Sequence, residues 1–131
     1  MLAKITIADY MTKNIFTLKE NVSVVTAIKA ILDHKITSAP VLDDNGRLIG
    51  MFSEKDSIKV VLDAAYNKDF GGTVGEFMAK DIITVNEDDN IVKLAEQFQN
   101  CATRSFPVMD EDKLVGVISR TDVLRALVTL Y

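Results

Sequence analysis

Apolar positions along this chain change period several times, and they do so twice in the same order. After a polar break at Glu20 and Asn21, Val24, Ala27, Ile28, Ile31 and Leu32 recur at helical spacing. After a second break at 87–90, Ile91, Leu94, Ala95 and Phe98 do the same. Such stripes are the core faces of amphipathic helices. Ahead of each stripe lies a β-rich run, I-F-T-L at 15–18 and I-I-T-V at 82–85, whose Thr17 and Thr84 are good strand formers. Behind each come two short apolar runs around a turn. P-V-L-D (40–43) and R-L-I-G-M-F (47–52) flank D-N-G, a hairpin signal because Asn and Gly tolerate positive φ. P-V-M-D (107–110) and K-L-V-G-V-I (113–118) flank a shorter turn at Glu111 and Asp112. Pro40 and Pro107 are expected to open their strands, where a missing N–H is tolerated.

Helices are predicted from about Glu54 and Arg120. Their apolar faces are Ile58, Val61, Leu62 and Ala65 in one and Val123, Leu124, Leu127 and Val128 in the other. Those faces fit either an internal core or a helix contact between two copies. Thr6 with Asp9, and Thr73 with Glu76, are capped starts of one short helical turn. The order is β-α-β-β-α, twice, an α+β fold.

The repetition is legible residue by residue. A shift of 67 lays Thr6, Met11, Lys13, Ile15 and Thr17 over Thr73, Met78, Lys80, Ile82 and Thr84. It also lays S-A-P-V-L-D (38–43) over S-F-P-V-M-D (105–110). After the loss of one turn residue, Gly50, Ser53 and Asp56 meet Gly116, Ser119 and Asp122. The boundaries are repeat 1 at 1–66, a linker at 67–72 where Gly71 and Gly72 stop the helix, and repeat 2 at 73–131. Halves this small bury too little surface alone, so the two are expected to pack as one pseudo-twofold unit.

Charge and composition then narrow the functions. A net charge of −4 argues against nucleic acid, which needs a basic surface. No apolar run approaches the roughly 20 residues of a membrane span. The N-terminal M-L-A-K-I-T-I-A-D lacks a signal-peptide core, and the single Cys101 forms no intrachain disulfide; a cytoplasmic location is expected. Cys101 reads as a small buried hydrophobe, His34 as a helix-end cap or surface residue, and 87–89 as a solvated loop favouring the next helix N-terminus. With one His, one Cys, and neither phosphate-loop nor nucleophile-elbow motif, no enzyme is expected.

Chemistry concentrates at the paired G-M-F-S-E-K-D (50–56) and G-V-I-S-R-T-D (116–122) turns. Each runs from a strand through Ser into a helix whose third residue is Asp. Ser-x-x-Asp is a capping box, and the same turn can face an anion with backbone N–H groups. An ionised Asp accepts two hydrogen bonds, which suits a ribose diol.

The chain resembles the cystathionine-β-synthase (CBS) domain family in its tandem form, the Bateman module. The resemblance rests on M-T-K-N-I-F-T and M-A-K-D-I-I-T, on S-A-P-V-L-D and S-F-P-V-M-D, and on the two Ser-x-x-Asp turns, and it covers nearly all of the chain. It implies two CBS repeats about a pseudo-twofold axis, with clefts between them for AMP, ADP, ATP or S-adenosylmethionine. No cofactor is expected to be required. One cleft would use Asp122 and Ser119 with Phe16, Ile36, Thr37 and Ser38; the other Asp56 and Ser53 with Ile83, Thr103, Arg104 and Ser105. Arg104 and Arg120 offer bidentate charge to a phosphate, whereas Thr37 and Glu54 hold the corresponding positions, so the two sites are expected to be inequivalent. The resemblance also implies a homodimer through the helices and signalling to an effector protein on another chain. The competing reading is a non-catalytic dimerisation or scaffold module with vestigial clefts, in which each Ser-x-x-Asp only caps its helix.

Overall fold

The structure, a computed structural model, describes residues 2–67 and 71–130. Residues 68–70 of the expected linker lie outside the described residues. The chain divides into two compact units. One, the continuous unit, is Phe16–Ile82; the other, the split unit, joins the chain up to Ile15 with the chain from Ile83 onward. The compact units therefore do not coincide with the sequence repeats, because each repeat's leading segment packs with the elements of the other.

The continuous unit contains β1 (Leu18–Lys19), α1 (Val24–His34), β2 (Ser38–Leu42), β3 (Leu48–Ser53), α2 (Glu54–Asn67) and the one-turn α3 (Val74–Phe77). The split unit contains a 3-10 turn (Ile7–Asp9), β4 (Val85–Asn86), α4 (Ile91–Gln99), β5 (Ser105–Asp110), β6 (Lys113–Ser119) and α5 (Arg120–Leu130). Each sheet has three strands in the order β1-β2-β3 or β4-β5-β6, with a parallel pair followed by an antiparallel hairpin.

The leading segments are stitched in by matching backbone bonds. Met51 and Ala79 exchange both of theirs, at 3.0 and 2.8 Å, and Val117 and Thr12 do the same at 3.0 and 2.9 Å. The glycine of each Gly-x-x-Ser run is what lets these segments approach. A Cβ on Gly50 would stand 2.5 Å from Met78 Sδ and 3.0 Å from the Ala79 carbonyl; one on Gly116 would stand 2.6 Å from Met11 Sδ and 3.0 Å from the Thr12 carbonyl.

Several elements differ from expectation for identifiable reasons. The first strand of each half is two residues long and begins at Leu18 or Val85, because β2 and β5 offer partners only from Val41 and Val108. Thr17 and Thr84 therefore precede the strands. Pro40 and Pro107 sit third in β2 and β5, opposite Met51 and Val117. Those partners turn their N–H and C=O groups outward to Ala79 and Thr12. Each proline nitrogen thus faces the β1 or β4 side, before pairing there begins, and the missing donor costs nothing.

The α1 stripe buries Val24, Ala27 and Ile31 but leaves Leu32 exposed, where Lys35 in the left-handed region ends the helix. On α2 and α5 the buried line is Asp56, Val60 and Ala64, or Asp122 and Ala126, with Val123 partly buried. Ile58, Val61, Leu62, Leu124, Leu127 and Val128 are exposed, so these faces are not internal core. Cys101 is half-buried against the core of the split unit rather than enclosed by it.

Candidate functional site

The strand-to-helix turns form as the capping box requires. Ser53 closes β3 and precedes α2, so the first turn of α2 leaves orphan N–H groups. Ser53 Oγ accepts from the Asp56 N–H at 3.2 Å, and Asp56 Oδ2 accepts from the Ser53 N–H and from its hydroxyl, both at 2.9 Å. The second copy is nearly superimposable in its distances. Asp122 N–H donates to Ser119 Oγ at 3.3 Å, and Asp122 Oδ2 takes the Ser119 N–H at 2.9 Å and hydroxyl at 3.0 Å. Such a cap is worth on the order of 1 kcal/mol to its helix.

Capping leaves something over. Asp56 and Asp122 are each only 5% exposed, and Ser satisfies only Oδ2. The other oxygen meets a cation one turn along, and here the copies diverge. Lys59 Nζ stands 3.9 Å from Asp56 Oδ1, outside hydrogen-bond reach, while Arg125 Nη1 donates to Asp122 Oδ1 at 2.9 Å. Neither cation was singled out from the sequence, although an acid followed three residues later by a base on a helix is a readable signal.

The remaining candidates gather within each unit around the start of the hairpin. In the continuous unit Ser38 pairs with Ser53 in register, and the Glu54 N–H donates to the Thr37 carbonyl at 2.9 Å. Ile36 follows the cap of α1 and packs on the core, its N–H bonded to the Ile31 carbonyl at 3.2 Å. Phe16 packs on the same core and stacks on His34, ring centres 4.1 Å apart. His34 Nδ1 lies 2.8 Å from the Ala30 carbonyl, the capping position expected of it. In the split unit Ser105 pairs with Ser119, and the Arg120 N–H donates to the Arg104 carbonyl at 3.1 Å. Ser105 is buried; Thr103, Arg104 and Arg120 are exposed, and Ile83 is 52% exposed. Phe16, Ile36, Thr37 and Ser38 thus belong to the unit of Asp56, and Ile83, Thr103, Arg104 and Ser105 to that of Asp122.

Elsewhere, among the described residues, the one clear ionisation effect is at Asp43 in the β2–β3 turn. The backbone N–H of Arg47, then that of Asn45, and the charges of Arg47 and Lys19 hold its carboxyl below the ordinary value. Among the described residues no group of three or more His, Cys, Asp or Glu side chains is placed to hold a metal ion. No described helix is long and apolar enough to cross a membrane.

The CBS domain profile matches residues 7–63 and again 74–129. The chain belongs to the CBS domain family. Two matches in one chain make it a tandem CBS, or Bateman, module. The crystal structure of the CBS-pair protein CBSX2 of Arabidopsis thaliana in complex with AMP is 28% identical, with a TM-score of 0.85 over 96% of this chain and 98% of that one. The CBS domain pair of protein MJ0100, solved with 5′-methylthioadenosine and S-adenosyl-L-methionine, is 26% identical, with a TM-score of 0.83 over 96% and 98% of the two chains. An uncharacterized protein of Methanocaldococcus jannaschii is 29% identical over 92% of this chain, which spans 42% of that relative. Relatives named as enzymes are matched over 14–25% of their length, so what this chain shares with them is the CBS pair.

Proposed function

We propose that this CBS pair is a regulatory module that binds an adenosyl compound through Asp56 and Asp122 and signals to a separate effector protein. The observation that carries the reading is the buried carboxylate of each Ser-x-x-Asp turn. Its Oδ2 is fixed by the serine, and its Oδ1 lies outside the cap, beyond hydrogen-bond reach of Lys59 in Asp56 and bonded to the part-exposed Arg125 in Asp122. A ribose diol supplies the donors such an oxygen takes. The AMP carried by CBSX2, and the 5′-methylthioadenosine and S-adenosylmethionine carried by MJ0100, share that diol and support the class. Thr37 and Ser38, or Arg104, Arg120 and Ser105, flank the turn in each unit, with Ile36, Phe16, Thr103 and Ile83 as further candidates for the base or phosphate. ADP and ATP remain within the same chemistry.

Calorimetry with AMP on the full chain tests this. Asp56→Asn and Asp122→Asn are each expected to remove one site, since a charged acceptor is worth roughly tenfold or more in affinity. Unchanged binding in the double variant would end the assignment to these aspartates, and absence of AMP binding to the unsubstituted chain would favour a scaffold with unused turns.

A second copy of the chain is the proposed cover for the exposed apolar faces of α2 and α5. Light scattering is expected to report a dimer. A monomer at all concentrations, with and without AMP, removes this part.

A further inference from the structure

The two aspartates differ in how much of Oδ1 is left to a ligand. Oδ2 of each accepts two donors from its serine, which fills both lone-pair positions of that oxygen. A vicinal diol with two hydroxyls to donate needs the two positions on Oδ1. In the continuous unit Lys59 stands 3.9 Å off and makes no hydrogen bond there. In the split unit Arg125 already donates to that oxygen at 2.9 Å. Its side chain is 59% exposed, so it can leave for solvent, but leaving breaks a charge-assisted bond to a carboxylate that is 7% exposed.

We propose that Arg125 is a specificity-determining residue that competes with the ribose diol for Asp122 Oδ1, so that the split unit binds adenosine more weakly than the continuous unit. The proposal rests on the reading of both aspartates as ribose acceptors. Binding of a diol at Asp122 then requires the guanidinium to swing away, whereas binding at Asp56 displaces no hydrogen bond. Arg125 acts against an uncharged nucleoside and not as a ligand contact.

Adenosine is the probe, because it presents the diol and base with no phosphate for any arginine to attract. In full-length Asp56→Asn protein, which leaves only the Asp122 site, Arg125→Ala is expected to tighten adenosine about threefold to fivefold, the range of a partly exposed ion pair. In full-length Asp122→Asn protein, Lys59→Arg is expected to weaken adenosine by a similar factor, and Lys59→Ala to leave it unchanged. Weaker or unchanged adenosine binding in the Arg125→Ala protein overturns the competition while the adenosyl reading stands. Absence of adenosine binding in both single-site proteins and in the unsubstituted chain overturns both together. Circular dichroism on each variant confirms that α5 remains folded, and Arg125→Gln supplies the same comparison if Arg125→Ala does not.

Discussion

The continuous and split units have the same strand order, the same caps and the same seated methionine, yet they fill their interiors with different residues. Across the hairpin, Ala39 faces Phe52 in one unit and Phe106 faces Ile118 in the other. On the helix behind, Ala27 and Ile31 correspond to Leu94 and Phe98, and Phe98 lies against Phe106 at 4.7 Å between ring centres. The large side chain has changed strands while the backbone pairing has not. Hydrophobic pattern and total volume, rather than the identity of any one residue, specify this fold. The rim differs in kind as well. Around the capped turn the continuous unit carries Thr37, Glu54 and Lys59, whereas the split unit carries Arg104, Arg120 and Arg125.

Exchanging residues between the units shows how independent their interiors are. The largest effect is expected from Phe106→Ala. It copies what the continuous unit has at that register position, yet it should cost roughly 3–5 kcal/mol because nothing refills the space. Chemical denaturation measures it, and a loss under about 1 kcal/mol would mean the interior collapses freely. Next comes Ala39→Phe, which overfills a buried site facing Phe52 and is expected to cost about 1–3 kcal/mol. Adding Phe52→Ile reproduces the Phe–Ile pair of the split unit and should recover part of that loss; no recovery would show that the helix behind, not the cross-strand partner, limits the space.

The smallest effect concerns the two hairpin turns. N–H groups favour the ionised form of Asp43, so its folded pKa lies below its unfolded one. Its stabilisation is present in full above the ordinary carboxylate range and is lost as the pH falls through the lowered value. The shorter turn of the split unit relies instead on Glu111 in the left-handed region. Asp43→Ala should therefore lower the melting temperature slightly at neutral pH and make no difference in strong acid. A deficit that persists in acid would assign the role of Asp43 to packing.

Much of this was legible in the sequence. The doubled β-α-β-β-α order, the buried stripe of α4, the hairpins and the capping boxes all follow from local pattern, because spacing and turn chemistry act over a few residues. What depends on distant partners was not legible. Thr17 and Thr84 look like strand residues, but strand length is set by where β2 and β5 offer a neighbour. Ile58 and Leu124 look like core because periodicity reports an apolar face without saying what covers it. At the site, Ser53, Asp56, Ser119 and Asp122 stood out from their repeat. Lys59 and Arg125 did not, because their importance lies in 3.9 Å against 2.9 Å, a difference that the shared spacing hides.

The exchange of leading segments bears on the order in which the chain becomes complete. All of the continuous unit lies between residues 16 and 82, whereas the split unit waits for β4, β5, β6 and α5, which follow residue 82. As the polypeptide emerges from the ribosome, one sheet with its helices is fully synthesised before any strand of the other exists. Residues 2–15 precede that unit in the chain, yet their neighbours lie beyond residue 82.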